Sequence, residues 1–273
     1  MAKKTQRMDL QRQHNWYVAH RLSLEFEEIM YDPFWRVEDV RSSGIKTKIA
    51  HFSTPGRVMH LLSQNELWMY LDLAQNSDIV ETYEQFAIPL DFSLPIAKEL
   101  GVKHPVYIGS QNVPIIQTID FVSIRDDGTR VAHPVKQESD ALRERTMEKL
   151  AIQEAYCELE YIDYQLTTST ELRTVKSESL EAMYRHRNVN PFLKSAFEVW
   201  LSNFLGCLSD DRHDRASNIL ERSALISGVE YQQAASFFYC ALWNDRLQMD
   251  WKKRLKLELP ASDLGIHEHV LVA

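Results

Sequence analysis

Three residues of this chain have the side chains and surroundings to do chemistry together: Glu66, Asp120 and Lys136. Asp120 interrupts a run rich in β-branched and aromatic residues, Ile115 to Ile124. Aspartate is depleted in strands, and among Ile119, Phe121 and Val122 it costs free energy unless it is paired or bound to a metal. Lys136 closes the next strand-like run, where the plain reading is a solvated edge charge. Glu66 is the third residue of a helix start and is fully explained there as a capping residue. Each signal is weak alone. Together, two carboxylates would hold a hard cation such as Mg²⁺ in oxygen coordination completed by a backbone carbonyl and waters. An ammonium beside them would stabilise developing charge or position an attacking water.

Whether Asp120 and Lys136 meet depends on hairpin register. The first run is followed by Asp126-Asp127-Gly128 and then by Thr129 to Lys136. A three-residue loop with Gly128 in the left-handed conformation pairs Arg125 with Thr129 and so sets Asp120 opposite Pro134. Lys136 then becomes the diagonal neighbour of Asp120, roughly 7 Å away between backbone positions, with room for a metal-bound water between the side chains. A two-residue Asp127-Gly128 turn would instead pair Asp120 with Val135 and send Lys136 to the other face. The reading adopted is the three-residue loop.

Glu66 is delivered by a helix. Ser63-Gln64-Asn65-Glu66 has the form of a capping box, and Leu67, Tyr70, Leu71 and Ala74 follow at i, i+3, i+4 and i+7. A second helix is predicted from about Ala141 to Glu160, followed by the strand-like Tyr161 to Leu166. Strands, helix and strand in that order give an α/β layer with a mixed sheet.

The chain's 273 residues suggest about two domains. With 44% hydrophobic and 26% charged residues the composition is that of an ordinary globular protein. A polar run, Thr167 to Glu171, separates a mixed block, residues 1–172, from a helical block, residues 173–273. Cys157, Cys207 and Cys240 form no C-x-x-C pair, which argues against a zinc ribbon and for reduced thiols in the cytoplasm. No stretch approaches about 18 uninterrupted apolar residues, so no membrane span is expected. The net charge of −8 is unevenly spread, with 8 Lys/Arg against 19 Asp/Glu in residues 61–172. An acidic middle fits a carboxylate site that collects divalent cations, and equally a solvated acidic surface.

At these residues the chain resembles the TnsA family, the endonuclease subunits of Tn-seven-like transposons, whose catalytic domain is similar to restriction enzymes of the PD-(D/E)xK type. The stretches that carry the resemblance run in order from about residue 35 to 165: Ser42-Ser43-Gly44, Gly56-Arg57-Val58, His60 to Ser63 leading to Glu66, Glu84-Gln85-Phe86, Gly101 to Pro105, Asp120-Phe121, Val135-Lys136 and Glu144 to Leu150. The resemblance implies a restriction-endonuclease-like mixed sheet flanked by helices, with the family's helix glutamate on Glu66, its metal-binding aspartate on Asp120 and its catalytic lysine on Lys136. It also implies that Val135 lends a backbone carbonyl to Mg²⁺, with Mn²⁺ as substitute. The activity implied is hydrolysis of the 5′ strand at transposon ends, while a DDE-type transposase cuts and joins the 3′ strands. A departure stands at Pro134, where the nuclease pattern has an acidic residue and the family a glutamine. Proline offers neither a side-chain ligand nor an N–H, so it throws metal binding onto Glu66 and puts a second metal in doubt. Gln153 stands where a family member has a glutamate and is left outside the site. The acidic net charge then implies that the partner supplies most of the affinity for transposon-end DNA.

The second block reads as a helix through Ile226, a turn at Ser227-Gly228-Val229-Glu230, a helix from about Tyr231 and a strand-like basic stretch after Trp251. This resembles a winged helix-turn-helix. Only Gln232 and Gln233 would face DNA early in the second helix, so Phe237 and Phe238 read as core or as a protein docking face. The resemblance points to contacts with the transposase and with an AAA-type ATPase regulator. His267-Glu268-His269 lacks a third metal ligand, and the tail from Ile266 to Val272 reads as a partner peptide or a mobile end. Two other functions remain open: a free-standing nuclease of the same fold, and a non-catalytic adaptor bridging transposase and regulator. A plain helix-turn-helix regulator would leave the first block unexplained.

Overall fold

The structure is a computed structural model that describes residues 10–25, 30–40, 44–107 and 112–269. Ser42 and Ser43, and the tail beyond His269, lie outside the described residues. The chain divides into two compact units, Met1–Leu172 and Arg173–Ala273. Among the described residues, no helix is long and apolar enough to cross a membrane.

The first unit opens with α1 (Leu10–Glu25) and the antiparallel pair β1 (Thr47–Ala50) and β2 (Val58–Leu61), then α2 (Gln64–Gln75), β3 (Ile79–Ala87) and α3 (Leu90–Glu99). It continues through β4 (Thr118–Arg125), β5 (Arg130–His133), β6 (Val135–Lys136), α4 (Glu138–Ala141), α5 (Glu144–Leu159), β7 (Asp163–Tyr164), β8 (Thr167–Thr168) and α6 (Ser169–Leu172). Among the described residues the main sheet has the order β3-β4-β5-β7, antiparallel except for the last, parallel pair. This is the mixed sheet flanked by helices that the pattern implied. Its core joins Ile119, Val122 and Ala132 of the strands to Ile96 of α3 and to Ile152, Tyr156 and Cys157 of α5. The isoleucine and valine side chains among them stabilise by about 1.5–3 kcal/mol each when fully buried. Phe121 lies instead against Tyr70 of α2, with ring centroids 6.5 Å apart.

The hairpin takes the three-residue loop. Gly128 has φ +84°, the Arg125 N–H donates to the Thr129 carbonyl at 2.9 Å, and Phe121 pairs with His133. The predicted strand Thr129 to Lys136 is, however, two strands. Pro134 has no N–H to continue the ladder, so β5 stops at His133. The chain then changes partner: β6 runs parallel to β8, and the Thr167 N–H donates to the Pro134 carbonyl at 2.9 Å. The polar run at Thr167 is therefore strand β8 and helix α6, with the division between units just after it. The predicted helix Ala141 to Glu160 is likewise broken, because Arg143 is extended at ψ 131° and caps α5.

The second unit is mainly helical: α7 (Val175–Met183), α8 (Lys194–Asp210), α9 (Ala216–Ser227) and α10 (Tyr231–Trp243). Gly228 ends α9 in the left-handed conformation at φ +66°, as the turn pattern requires. Trp200 and Phe204 of α8 interlock with Phe237 and Phe238 of α10, which makes the aromatic run core. The basic stretch after Trp251 is not a strand. A two-stranded antiparallel ribbon pairs β9 (Leu247–Gln248) with β10 (His267–Glu268), so His267 and Glu268, predicted as tail, sit in backbone pairing. All three cysteines are free and buried.

Candidate active site

Asp120 lies in β4 with Phe121 on one side and Ile119 on the other, both fully buried. Its carboxylate is satisfied by the residues that follow the break at Pro134. The Val135 N–H donates to Oδ2 at 2.7 Å, and the Lys136 ammonium donates to the same oxygen at 2.7 Å. The expected gap for a water between the two side chains is therefore closed by a direct ion pair. The lysine side chain is long enough to span the separation itself, from a strand that has left the β5 ladder. The Lys136 ammonium also donates to the Val135 carbonyl at 2.9 Å. It thus bridges the carboxylate and the carbonyl assigned to a metal, a position that favours any cation. The pair is partly open to solvent, with side-chain exposures of 15% for Asp120 and 26% for Lys136.

Glu66 comes from the first turn of α2, which packs against β2, β3, β4 and β6. Its capping role is real. The Ser63 hydroxyl accepts from the Glu66 N–H at 3.2 Å, the Leu62 N–H donates to Oε2 at 2.8 Å, and the Ser63 hydroxyl donates to Oε1 at 3.0 Å. These bonds fold the carboxylate back into the protein, where Glu66 is buried. Burial and the negative charge of Asp120 push its pKa from 4.5 up to about 7, against the pull of the Leu62 N–H, Ser63 and Lys136. Cap and site are thus one arrangement: the hydrogen bonds of the helix start hold a carboxylate within the field of Asp120 and Lys136.

The four residues read from the sequence, Glu66, Asp120, Val135 and Lys136, are therefore brought to one locality. Their donor set suits a hard divalent cation: two carboxylates, one of them burdened by the other's charge, and a backbone carbonyl already facing an ammonium. Among the described residues no group of three or more His, Cys, Asp and Glu side chains forms a metal cluster, so the carbonyl and waters would have to complete the coordination.

Two further features escaped the sequence. Gln85 of β3 is buried, with φ +50°; its Nε2 donates to Glu66 Oε2 at 3.3 Å, and its Oε1 accepts from the Thr118 hydroxyl at 3.0 Å. Next to it, Glu84 is buried against Arg57, whose guanidinium donates to Glu84 Oε2 and to the Thr82 carbonyl at 2.7 Å each, and to Glu81 at 2.8 Å. The guanidinium carbon lies 4.6 Å from the centroid of the Tyr31 ring. Burial pushes the Glu84 carboxyl up, and the Arg57 charge opposes that shift. The available signals were that Gly56-Arg57-Val58 and Glu84-Gln85-Phe86 carry the family resemblance, and that charged residues in a half-buried strand require a partner elsewhere.

The chain is similar to known proteins, and the family match lies within this unit. Residues 76–169 match the family model described as TnsA-like endonuclease N terminal, a span that contains Asp120, Val135 and Lys136 but not Glu66. The chain is 35% identical over 156 residues to the transposon Tn7 transposition protein TnsA of Escherichia coli, over 56% of this chain and 56% of that protein. The aligned region thus spans about half the length of the curated relative it matches. With its mixed sheet and the matched span enclosing three of the four site residues, the chain is similar, over part of its length, to the TnsA-like endonucleases.

Proposed function

We propose that this chain is the endonuclease subunit of a cut-and-paste transposition system, hydrolysing the 5′ strand at each transposon end in a Mg²⁺-dependent reaction. A DDE-type transposase would cut and join the 3′ strands, and an AAA-type ATPase would regulate the assembly. The observation that carries this reading is the direct contact of Asp120 with Lys136 and the Val135 backbone, beside the buried Glu66. Glu66, Asp120 and the Val135 carbonyl would hold the cation, whose chemistry is to lower the pKa of a water and to neutralise charge building on the phosphate. Lys136 supplies a positive charge that can orient the attacking water or stabilise that phosphate. Hydrogen bonds from Ser63 and Leu62 keep Glu66 aimed without reorganisation at the moment of reaction. The second unit is the winged-helix-like, partner-facing part of this reading, and the DNA is held mainly by the transposase.

The test is strand-specific cleavage of labelled transposon-end DNA by the complete set of proteins. Asp120→Ala and Lys136→Ala are expected to abolish the 5′ cut while 3′ cutting by the transposase continues. Unchanged 5′ cleavage would leave only an adaptor role. Cleavage of plain plasmid with Mg²⁺ and no partner would favour a free-standing nuclease.

A further inference from the structure

Gln85 is one of four non-glycine residues with positive φ among the described residues, with Asn112, Tyr161 and Asp245, and the only one of them inside a strand. Glutamine gains nothing by itself from this region, so the conformation is imposed by its surroundings. No residue is inserted at this point, because Glu84 pairs with Phe121 and Phe86 with Ile119, which keeps the register and sets Gln85 opposite Asp120. The twist is therefore not a bulge that merely ends the pairing. It has two visible results. The Gln85 carbonyl accepts from the Phe34 N–H at 3.3 Å, and two successive side chains, Glu84 and Gln85, are both buried where a regular strand would alternate.

Each end of the Gln85 amide has a task. The amide nitrogen donates to Glu66, and the amide oxygen takes the Thr118 hydroxyl. Thr118 begins β4, two residues before Asp120, and its carbonyl accepts from Gln153 Nε2 of α5 at 2.9 Å. A continuous path of bonds therefore runs from α5 through β4 to β3 and ends on the carboxylate of α2.

We propose that Gln85 is a positioning residue for the metal-holding carboxylate: its strained backbone presents the amide that fixes the orientation of Glu66 relative to Asp120. This role rests on the reading of the site as a divalent-cation site. Outer partners that orient a ligand change metal affinity by about 10–100-fold when removed.

The test is Mn²⁺ binding to the full chain, followed by the spin resonance of the free ion and so independent of cleavage. Gln85→Gly accepts the left-handed backbone without steric cost and removes the whole side chain, the amide with it. It is expected to weaken Mn²⁺ binding by about tenfold or more, with the fold retained by circular dichroism. Thr118→Val removes the hydroxyl that anchors the amide and is expected to weaken binding less, and adding it to Gln85→Gly should cost nothing further. Wild-type affinity in Gln85→Gly, or fully additive losses in the double variant, overturns the role of Gln85. Asp120→Ala separates the two levels of the argument: if it binds Mn²⁺ as the unsubstituted chain does, the cation reading itself fails and the positioning role goes with it.

Discussion

The pKa shifts of two buried groups in the first unit predict opposing pH dependences of stability that one substitution should unmask. Glu66 moves from 4.5 to about 7 through burial and the Asp120 charge. Below pH 4.5 its carboxyl is protonated whether the chain is folded or not. As the pH rises towards 7 the unfolded chain ionises while the folded one keeps its proton, and stability falls. At about 1.4 kcal/mol per pH unit the loss is about 3 kcal/mol, complete above pH 7. His133 runs the other way. Burial, and then the charge of Arg125, lower it from 6.5 to about 4. It contributes fully above pH 6.5, and that contribution, also about 3 kcal/mol, is lost as the pH falls towards 4. Between pH 4.5 and 6.5 the two slopes cancel. The perturbation is Glu66→Gln, studied in EDTA so that no cation competes for the site, with urea unfolding followed by circular dichroism at each pH. Relative to the unsubstituted chain, the variant should gain about 3 kcal/mol between pH 4.5 and 7, and His133→Gln should show the mirror image between pH 4 and 6.5. A difference between Glu66→Gln and the unsubstituted chain that stays flat with pH would refute the burial of Glu66 in the field of Asp120, and with it the electrostatic argument for the site.

Arg57→Ala strands the Glu84 carboxylate in the interior and should destabilise the first unit by about 3–5 kcal/mol, part of which Glu84→Gln in the same chain should restore, as read by urea unfolding. Gly128→Ala meets no atom within 4 Å of the added carbon, so its cost should be the backbone strain alone, about 1–2 kcal/mol in the same assay. Mg²⁺ at about a hundred times its dissociation constant should stabilise the chain by about 2.7 kcal/mol and raise its melting temperature, an effect that chelation reverses and Asp120→Ala lacks. The isolated chain should bind transposon-end DNA only in the non-specific range, about 10⁻⁴–10⁻⁶ M at physiological salt, and tight sequence-selective binding in a mobility-shift assay would contradict the assignment of DNA affinity to the partner.

What could be read in advance was whatever depends on near neighbours in sequence. The hairpin register follows from a three-residue loop and one glycine, and that register was enough to put Asp120 and Lys136 on the same side. The start of α2 follows from Ser63 and Glu66, three residues apart, and the end of α9 from Gly228. Glu66 is a cap in the structure, and the capping bonds turn its carboxylate inward. A local motif was thus half of a long-range one, and sequence spacing alone could not reveal the second half.

Pro134 shows where such reading stops. Its missing N–H was visible, and the strand break that follows from it is elementary. What replaces the broken pairing is not local: β8 lies more than thirty residues further on, and its parallel pairing with β6 holds the backbone from which Lys136 reaches Asp120. Gln85 makes the same point from the other side of the sheet. Nothing in Glu84-Gln85-Phe86 calls for a left-handed backbone; the conformation arises because Arg57 holds Glu84, Phe34 takes the Gln85 carbonyl, and Thr118 and Glu66 take the two ends of its amide. These partners come from two connecting segments, from β4 and from α2, so the strain can exist only once the sheet and α2 have assembled around it. The residues that aim this site are accordingly the ones least visible to local rules, because they contradict local preference and are held by long-range contacts.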